Sequence, residues 1–408
     1  MKLLHTSDWH LGRMLYSKKE RQEEQAAFLE WLQATISERS IDLLLVAGDI
    51  FDTASPSSSS QKMYYDFLHQ VRHSGCRNVV IVGGNHDSPS FLNAPKEFFA
   101  ALDVYVRGNA SENIYDDIIV IYDHDDRPMA IVCAVPFLRE RDMSRFTEGE
   151  TYADRSKRIF ENIQRHYETA AKIATSKRDE SGKSIPIIAM GHLSVDGGKT
   201  IEGDGVRKIY IGNIGNIECV GSEIFPKALD YVALGHYHIS SVIENHIRYC
   251  GSPIPMGFGE AEQKKCVYVV DFGEEKITID PVEIPVFQKL ESIRGDQELI
   301  ENRLRELKNL GVSVWVEIIY EGNEVFPDLP KWVQEKIAGG KIEVLKLQNR
   351  QYLTEVLTLE DETQSLDELD PFYVFDKLLE KNDVSVEQNE ELKNLYREIV
   401  TELGIENR

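Results

Sequence analysis

The chain has 408 residues, 42% of them apolar and 9% aromatic, which excludes global disorder and is long enough for two or three domains. It contains no run of about 18 apolar residues, so no membrane-spanning helix is expected, and MKLLHTSDWHLG lacks the pattern of a signal peptide. A formal charge of −23 excludes a protein drawn to nucleic acid by its overall field, leaving local basic clusters or a partner to make any DNA contact.

The first 240 residues repeat one pattern: a short apolar run, usually a glycine, then side chains able to bind metal. Leu3-Leu4 leads to Asp8-Trp9-His10, and Leu43 to Ala47 leads to Gly48-Asp49-Ile50-Phe51-Asp52. Val79 to Val82 leads to Gly83-Gly84-Asn85-His86-Asp87, Ile187 to Met190 to Gly191-His192, and Tyr231 to Leu234 to Gly235-His236-Tyr237-His238. Such runs suit strands buried on both faces. Between them, residues Ser17 to Arg39 read as a helix with Phe28, Leu29, Leu32 and Ile36 on one stripe, while Ser57 to Ser60 reads as a loop. Strands alternating with helices imply an α/β layered domain, and polar groups in such sheets gather beyond the carboxyl ends of the strands.

After Pro285 the pattern stops. Helices are expected over Ile300 to Leu310 and Trp332 to Ile337, with strands over Val312 to Tyr320 and Ile342 to Leu347. Two further helices are expected, one from Asp370-Pro371 and one from Ser385, where Gln388 completes a capping box. Residues 351–408 hold 16 acidic and 5 basic side chains, a net of −11. The expected division is a domain over 1–285, a small α+β domain over 286–350 and an acidic helical region over 351–408.

Two divalent ions a few ångströms apart need a bridging carboxylate, further N/O ligands and open positions. In Asp8-x-His10 and His236-x-His238 an extended backbone would point both side chains the same way. Carboxylate, amide oxygen and imidazole without thiolate favour Mn²⁺ or Fe²⁺ over structural zinc. Each element alone has an ordinary explanation: Asp-x-His is common, Gly-Asp is often a turn, Asn-His-Asp can cap a helix, and His192 could be a core histidine. Their conjunction in this order points to a metal centre. His5, His69, His73, His124, His166 and His246 read as structural or surface residues. Cys76, Cys133, Cys219, Cys250 and Cys266 form no C-x-x-C pair, as expected of reduced cysteines in a cytosolic protein. Gly197-Gly198-Lys199-Thr200 has Leu193 where a phosphate-binding loop needs its first glycine, so this chain is not expected to bind ATP.

The pattern D-x-H, G-D-x-x-D, G-N-H-D, G-H, G-H-x-H resembles the calcineurin-like metallophosphoesterase superfamily. LHTSDWHLGR, VAGDIFDT, GNHDS, AVPFLR, RKIYIG, ALGHYH and YCGSPIP extend the match to its bacterial DNA-end-processing nucleases. The resemblance implies an α-β-β-α layered metallophosphoesterase domain, a small α+β capping domain that touches DNA and C-terminal helices. It implies a manganese-dependent exonuclease and endonuclease in DNA repair, recombination and replication. The implied partners are DNA, a coiled-coil ABC-type ATPase in a heterotetramer and a second copy of the chain, with the terminal helices docking on the ATPase. Asp8, His10, Asp49 and His238 would hold one metal, and Asp49, Asn85, His192 and His236 the other. His86 would protonate the leaving oxygen, Asp87 would orient His86, and Asp52 would support the site. Thr53-Ala54 and Asp87 stand where the Ser/Thr phosphatases of the superfamily carry Arg-Gly and Glu, which argues against that branch. Arg13/Lys18/Lys19/Arg21 and Arg139/Arg141 are candidate DNA contacts. The alternatives are a small-molecule or nucleotide phosphodiesterase with the same metals, and a non-enzymatic scaffold.

Overall fold

The computed structural model describes residues 1–16, 19–139, 142, 151–199, 220–273, 276–322, 326, 328–349, 393 and 396. The chain divides into two compact units, Met1–Glu291 and Ser292–Arg408.

The first unit is built on two six-stranded sheets. In one, Lys2–Thr6, Leu43–Ala47, Asn78–Val82 and Val104–Arg107 run parallel, with Cys266–Phe272 and Ile277–Glu283 added antiparallel beyond Lys2–Thr6. In the other, Pro128–Cys133, Ile187–His192, Tyr231–Gly235 and Ile247–Tyr249 run parallel, flanked antiparallel by Ile118–Tyr122 and Ser241–Glu244. Side chains alternate along a strand, so a run apolar at every position needs cover on both faces. Leu3, Leu43, Leu45, Val80 and Val82 pack against Ile119, Val132, Ile188, Met190 and Ala233 between the sheets. The intervening Leu4, Leu44, Val46, Val79 and Ile81 face outward onto helices Gln22–Arg39 and Ser58–Val71. On the far side, Ile159, Ile163, Tyr167, Ala170 and Ala174 of helix Tyr152–Ser181 cover the second sheet at helical spacing. The layers are therefore α-β-β-α.

Two local expectations differ. The helix expected from Ser17 begins at Gln22, and Met14–Leu15 pairs with Lys19–Glu20 as a short hairpin before it. Arg21 ends the hairpin in a non-helical conformation, its buried guanidinium held by Glu24 and the Pro255 carbonyl. The serine run is not a loop: Ser57 is the N-cap of helix Ser58–Val71, its hydroxyl accepting from the Ser60 N–H at 3.2 Å.

In the second unit, strand Val314–Tyr320 is the middle of a three-stranded sheet, parallel to Ile342–Asn349 and bonded on its other side to Lys289–Gly295. Helices Gln297–Asn309 and Leu329–Ile337 bury Ile300, Leu304, Leu307, Val333 and Ile337 against Val314, Val316 and Ile318. Strand Val314–Tyr320 is buried at every residue. The helices expected from Asp370 and Ser385 lie outside the described residues. Among the described residues, no helix is long and apolar enough to cross a membrane.

Candidate metal centre

The ends of five strands adjoin, and the candidate ligands lie on the loops that follow them, except His192, which is the last residue of its strand. Asp8, His10, Asp49, His192, His236 and His238 are all buried. Nε2 of His10 lies 3.1 Å from Nε2 of His238 and 3.6 Å from Oδ2 of Asp49. The same Asp49 oxygen is 3.3 Å from Nε2 of His192. Oδ1 of Asn85 lies 3.1 Å from both Nε2 of His192 and Nδ1 of His236. Asp8 joins through two groups, Asp8/His10/His238 and Asp8/Asp49/His192, whose ligand atoms lie within 4.8 Å of one another. All seven candidates thus meet around Asp49. His10, Asp49 and His86 form a third such group.

The Asp8-x-His10 segment reaches the site by a route other than the extended one expected. Asp8 and His10 have φ of 52° and 45°, and Asp49 and His236 have φ of 48° and 107°. Non-glycine residues seldom occupy this region, and the cost is met by surrounding bonds. The amides of Asp8, His10 and Leu11 donate to the carbonyls of Gly48, Asp49 and Ile50 at 2.9, 3.0 and 2.9 Å. The two loops are zipped side by side, which turns both ligand pairs into one pocket. Two glycines are required by close approach. A Cβ on Gly48, whose φ is 88°, would stand 2.1 Å from Nδ1 of His192, and one on Gly84 would stand 2.1 Å from Oδ1 of Asp49.

The donor set fits divalent cations. Nδ1 of His192 lies 2.9 Å from the Ala47 carbonyl. A carbonyl only accepts, so Nδ1 carries the proton and the neutral ring presents its Nε2 lone pair to the site. Burial lowers the His236 imidazole to about 3 and that of His238 well below its ordinary range, so both are neutral donors. Burial raises Asp8 to about 7, with His192 opposing. Asp49 lies well below the usual carboxylate range, because His192 and His10 outweigh its burial. Burial would lower His192, yet Asp49 raises it to about 9. A buried anion among imidazole lone pairs demands a positive charge, which a proton on His192 or a metal cation can provide.

The supporting residues divide differently from expectation. The Asp87 carboxylate accepts from the amides of Gly84, Phe51 and Ile50 at 2.8, 3.0 and 3.2 Å. It therefore ties the Asn85 loop to the Asp49 loop. Nδ1 of His86 instead meets the Asp52 carbonyl at 2.8 Å, and the His86 amide donates to Oδ1 of Asp49 at 2.9 Å. Oδ1 of Asp52 is 3.2 Å from Nδ1 of His10 and 3.1 Å from Nη1 of Arg13. Among the candidate DNA contacts, Arg21 is buried and occupied, which removes it from that role. Nη2 of Arg139 donates to the Asp87 carbonyl at 3.1 Å, and Lys18 and Arg141 lie outside the described residues. Missed entirely were the Ala47 and Asp52 carbonyls, since backbone atoms leave no residue-type signal. The buried Glu260 and Lys265 behind His238 were also missed, because charged residues read as surface.

Residues 1–240 match the calcineurin-like phosphoesterase family, and residues 286–383 match a family described as the type 5 capsule protein repressor C-terminal domain. The chain is 33% identical over 405 residues to the SbcD component of the nuclease SbcCD of Escherichia coli (strain K12), covering 97% of each chain. It is 33% identical over 285 residues to the protein of the same name from Rhodobacter capsulatus, 66% of each chain. Against that of Bacillus subtilis it is 30% identical over 285 residues, 67% of this chain and 68% of the other. The chain therefore belongs to the calcineurin-like phosphoesterases, and within them to the SbcD family, as a phosphodiester hydrolase.

Proposed function

We propose that the chain is the nuclease subunit of a DNA-end-processing complex and cleaves DNA with two Mn²⁺ ions. The observation that carries this reading is the convergence of six N/O ligands around the buried Asp49, seven with Asp49 itself and no thiolate among them. Asp8, His10, Asp49 and His238 would hold one ion, and Asp49, Asn85, His192 and His236 the other. Two divalent ions held there would lower the pKa of an attacking water and offset charge on the phosphate.

His86 donates its Nδ1–H to the Asp52 carbonyl, so as an imidazolium it would hold its second proton on Nε2, where it could contact the scissile phosphate and pass that proton to the leaving oxygen. Asp87 holds the Asn85 and Asp49 loops together, and Asp52 and Arg13 steady His10. Arg13, Lys19 and Arg139 are the remaining described candidates for phosphate contact. Residues 286–350 would cap the substrate, and the acidic residues 351–408 would bind a coiled-coil ABC-type ATPase in a cytoplasmic assembly built on a homodimer. Near-full-length similarity to a protein named as one component of a nuclease complex supports the partnership.

The test is incubation of the purified chain with end-labelled duplex and hairpin DNA and Mn²⁺, alone and with the ATPase, using Asp49→Asn as the blank. Cleavage that disappears in the variant supports the reading. Hydrolysis of a simple aryl phosphodiester, with intact DNA even when the ATPase is present, would assign the site to small phosphodiesters instead.

A further inference from the structure

His238 is gripped from behind by buried charge. Its Nε2 faces the metal centre, 3.1 Å from Nε2 of His10, while its Nδ1 points away and lies 3.9 Å from Oε1 of Glu260. The His238 carbonyl accepts from Nζ of Lys265 at 2.9 Å and from the Ser252 amide at 3.1 Å. Lys265 also forms an ion pair with Oε2 of Glu260, and the Met256 amide donates to that oxygen at 3.1 Å. Glu260 is fully buried and Lys265 only 7% exposed.

A buried ion pair loses its hydration, and apolar replacements of similar volume are often as stable, so packing alone does not call for one here. The arrangement does have a chemical consequence for the imidazole. A carboxylate facing Nδ1 attracts the ring proton to that nitrogen, which leaves the lone pair on Nε2, the atom that faces the site. Across 3.9 Å this is a charge–dipole attraction, strengthened by the low dielectric of a buried position. Lys265 balances the carboxylate and holds the main chain of the same histidine, so ring and backbone are fixed by one pair.

We propose that Glu260, held and neutralised by Lys265, is a positioning residue that sets the tautomer and orientation of His238 and thereby the affinity of one metal site of the two. The proposal rests on the reading of His238 as a metal ligand. It is selective: the site of Asp8, His10, Asp49 and His238 depends on Glu260, and the site of Asn85, His192 and His236 does not.

The experiment is titration of the chelator-stripped full chain with Mn²⁺, read by electron paramagnetic resonance, with melting of the metal-free protein measured alongside. Glu260→Gln should keep one class of site and weaken the other by about 10–100-fold. The exchange-coupled Mn–Mn signal should vanish at sub-saturating Mn²⁺. His192→Gln should weaken the opposite class. Should Glu260→Gln melt lower, the neutral pair Glu260→Gln/Lys265→Gln gives the reading, with the same site-selective loss expected. Two sites of wild-type affinity in these variants, or equal weakening of both, would overturn the proposal. A wild-type chain that binds fewer than two Mn²⁺, or Asp49→Asn that binds two normally, would instead overturn the metal reading beneath it.

Discussion

The His86 imidazole is held by the Asp52 backbone carbonyl, 2.8 Å from Nδ1, and not by the neighbouring Asp87 carboxylate. The contact fixes the ring without giving it a charged partner, so truncating His86 removes a proton donor and leaves the metal ligands in place. His86→Ala should therefore bind two Mn²⁺ normally and lose about 10²–10⁴-fold in cleavage rate. Calorimetric Mn²⁺ titration beside a single-turnover assay checks this, and metal loss in the variant would move His86 into the ligand set.

Asp87 should behave as a structural residue. Its carboxylate accepts three buried amide donors from two loops. Asparagine would set an NH₂ group against at least one of them. Asp87→Asn should destabilise the protein by about 1–3 kcal/mol in urea unfolding, through an unsatisfied buried donor. Wild-type stability combined with a cleavage defect equal to that of His86→Ala would restore Asp87 as the orienting residue.

Gly48 is a second structural test. A methyl group there meets the His192 ring at 2.1 Å while the backbone sits at φ 88°. Gly48→Ala should displace His192, weaken Mn²⁺ binding by at least about tenfold and destabilise the chain by more than about 1 kcal/mol. A variant with wild-type melting and metal affinity would show that the loop is looser than its contacts imply.

The pH dependence has a defined sign at His5, which is buried between Tyr231 and the Leu234 carbonyl. Burial lowers its imidazole from 6.5 to about 3. The unfolded chain therefore takes up a proton that the folded one refuses, and stability falls as pH drops from about 6.5 toward 3. The slope from this one proton approaches about 1.4 kcal/mol per pH unit. Urea unfolding of His5→Asn and wild type from pH 4.5 to 7.5 should give a stability difference that shrinks on acidification. A pH-independent difference would mean that His5 is not held neutral.

Much of this centre was legible because strands buried on both faces leave uninterrupted apolar runs, as at Leu43 to Ala47 and Val79 to Val82, each leading to a cluster of polar ligands. The parallel pairing of those strands brought Asp8, Asp49 and Asn85 to one edge without further information. Less legible was anything set by backbone geometry. The left-handed turns at Asp8 and His10 arise from hydrogen bonds to a loop some forty residues away, which no local propensity encodes. The Ser57 cap looked like a loop because serines favour both settings. Arg21 looked like a surface cation because its partners, Glu24 and the Pro255 carbonyl, meet only in the fold.

The most direct measurement is anomalous diffraction from crystals of the full chain soaked in Mn²⁺. Two manganese peaks a few ångströms apart are expected, both ligated by the Asp49 carboxylate, one flanked by Asp8, His10 and His238 and the other by Asn85, His192 and His236. A single peak, or two that do not share Asp49, would contradict the two-metal reading.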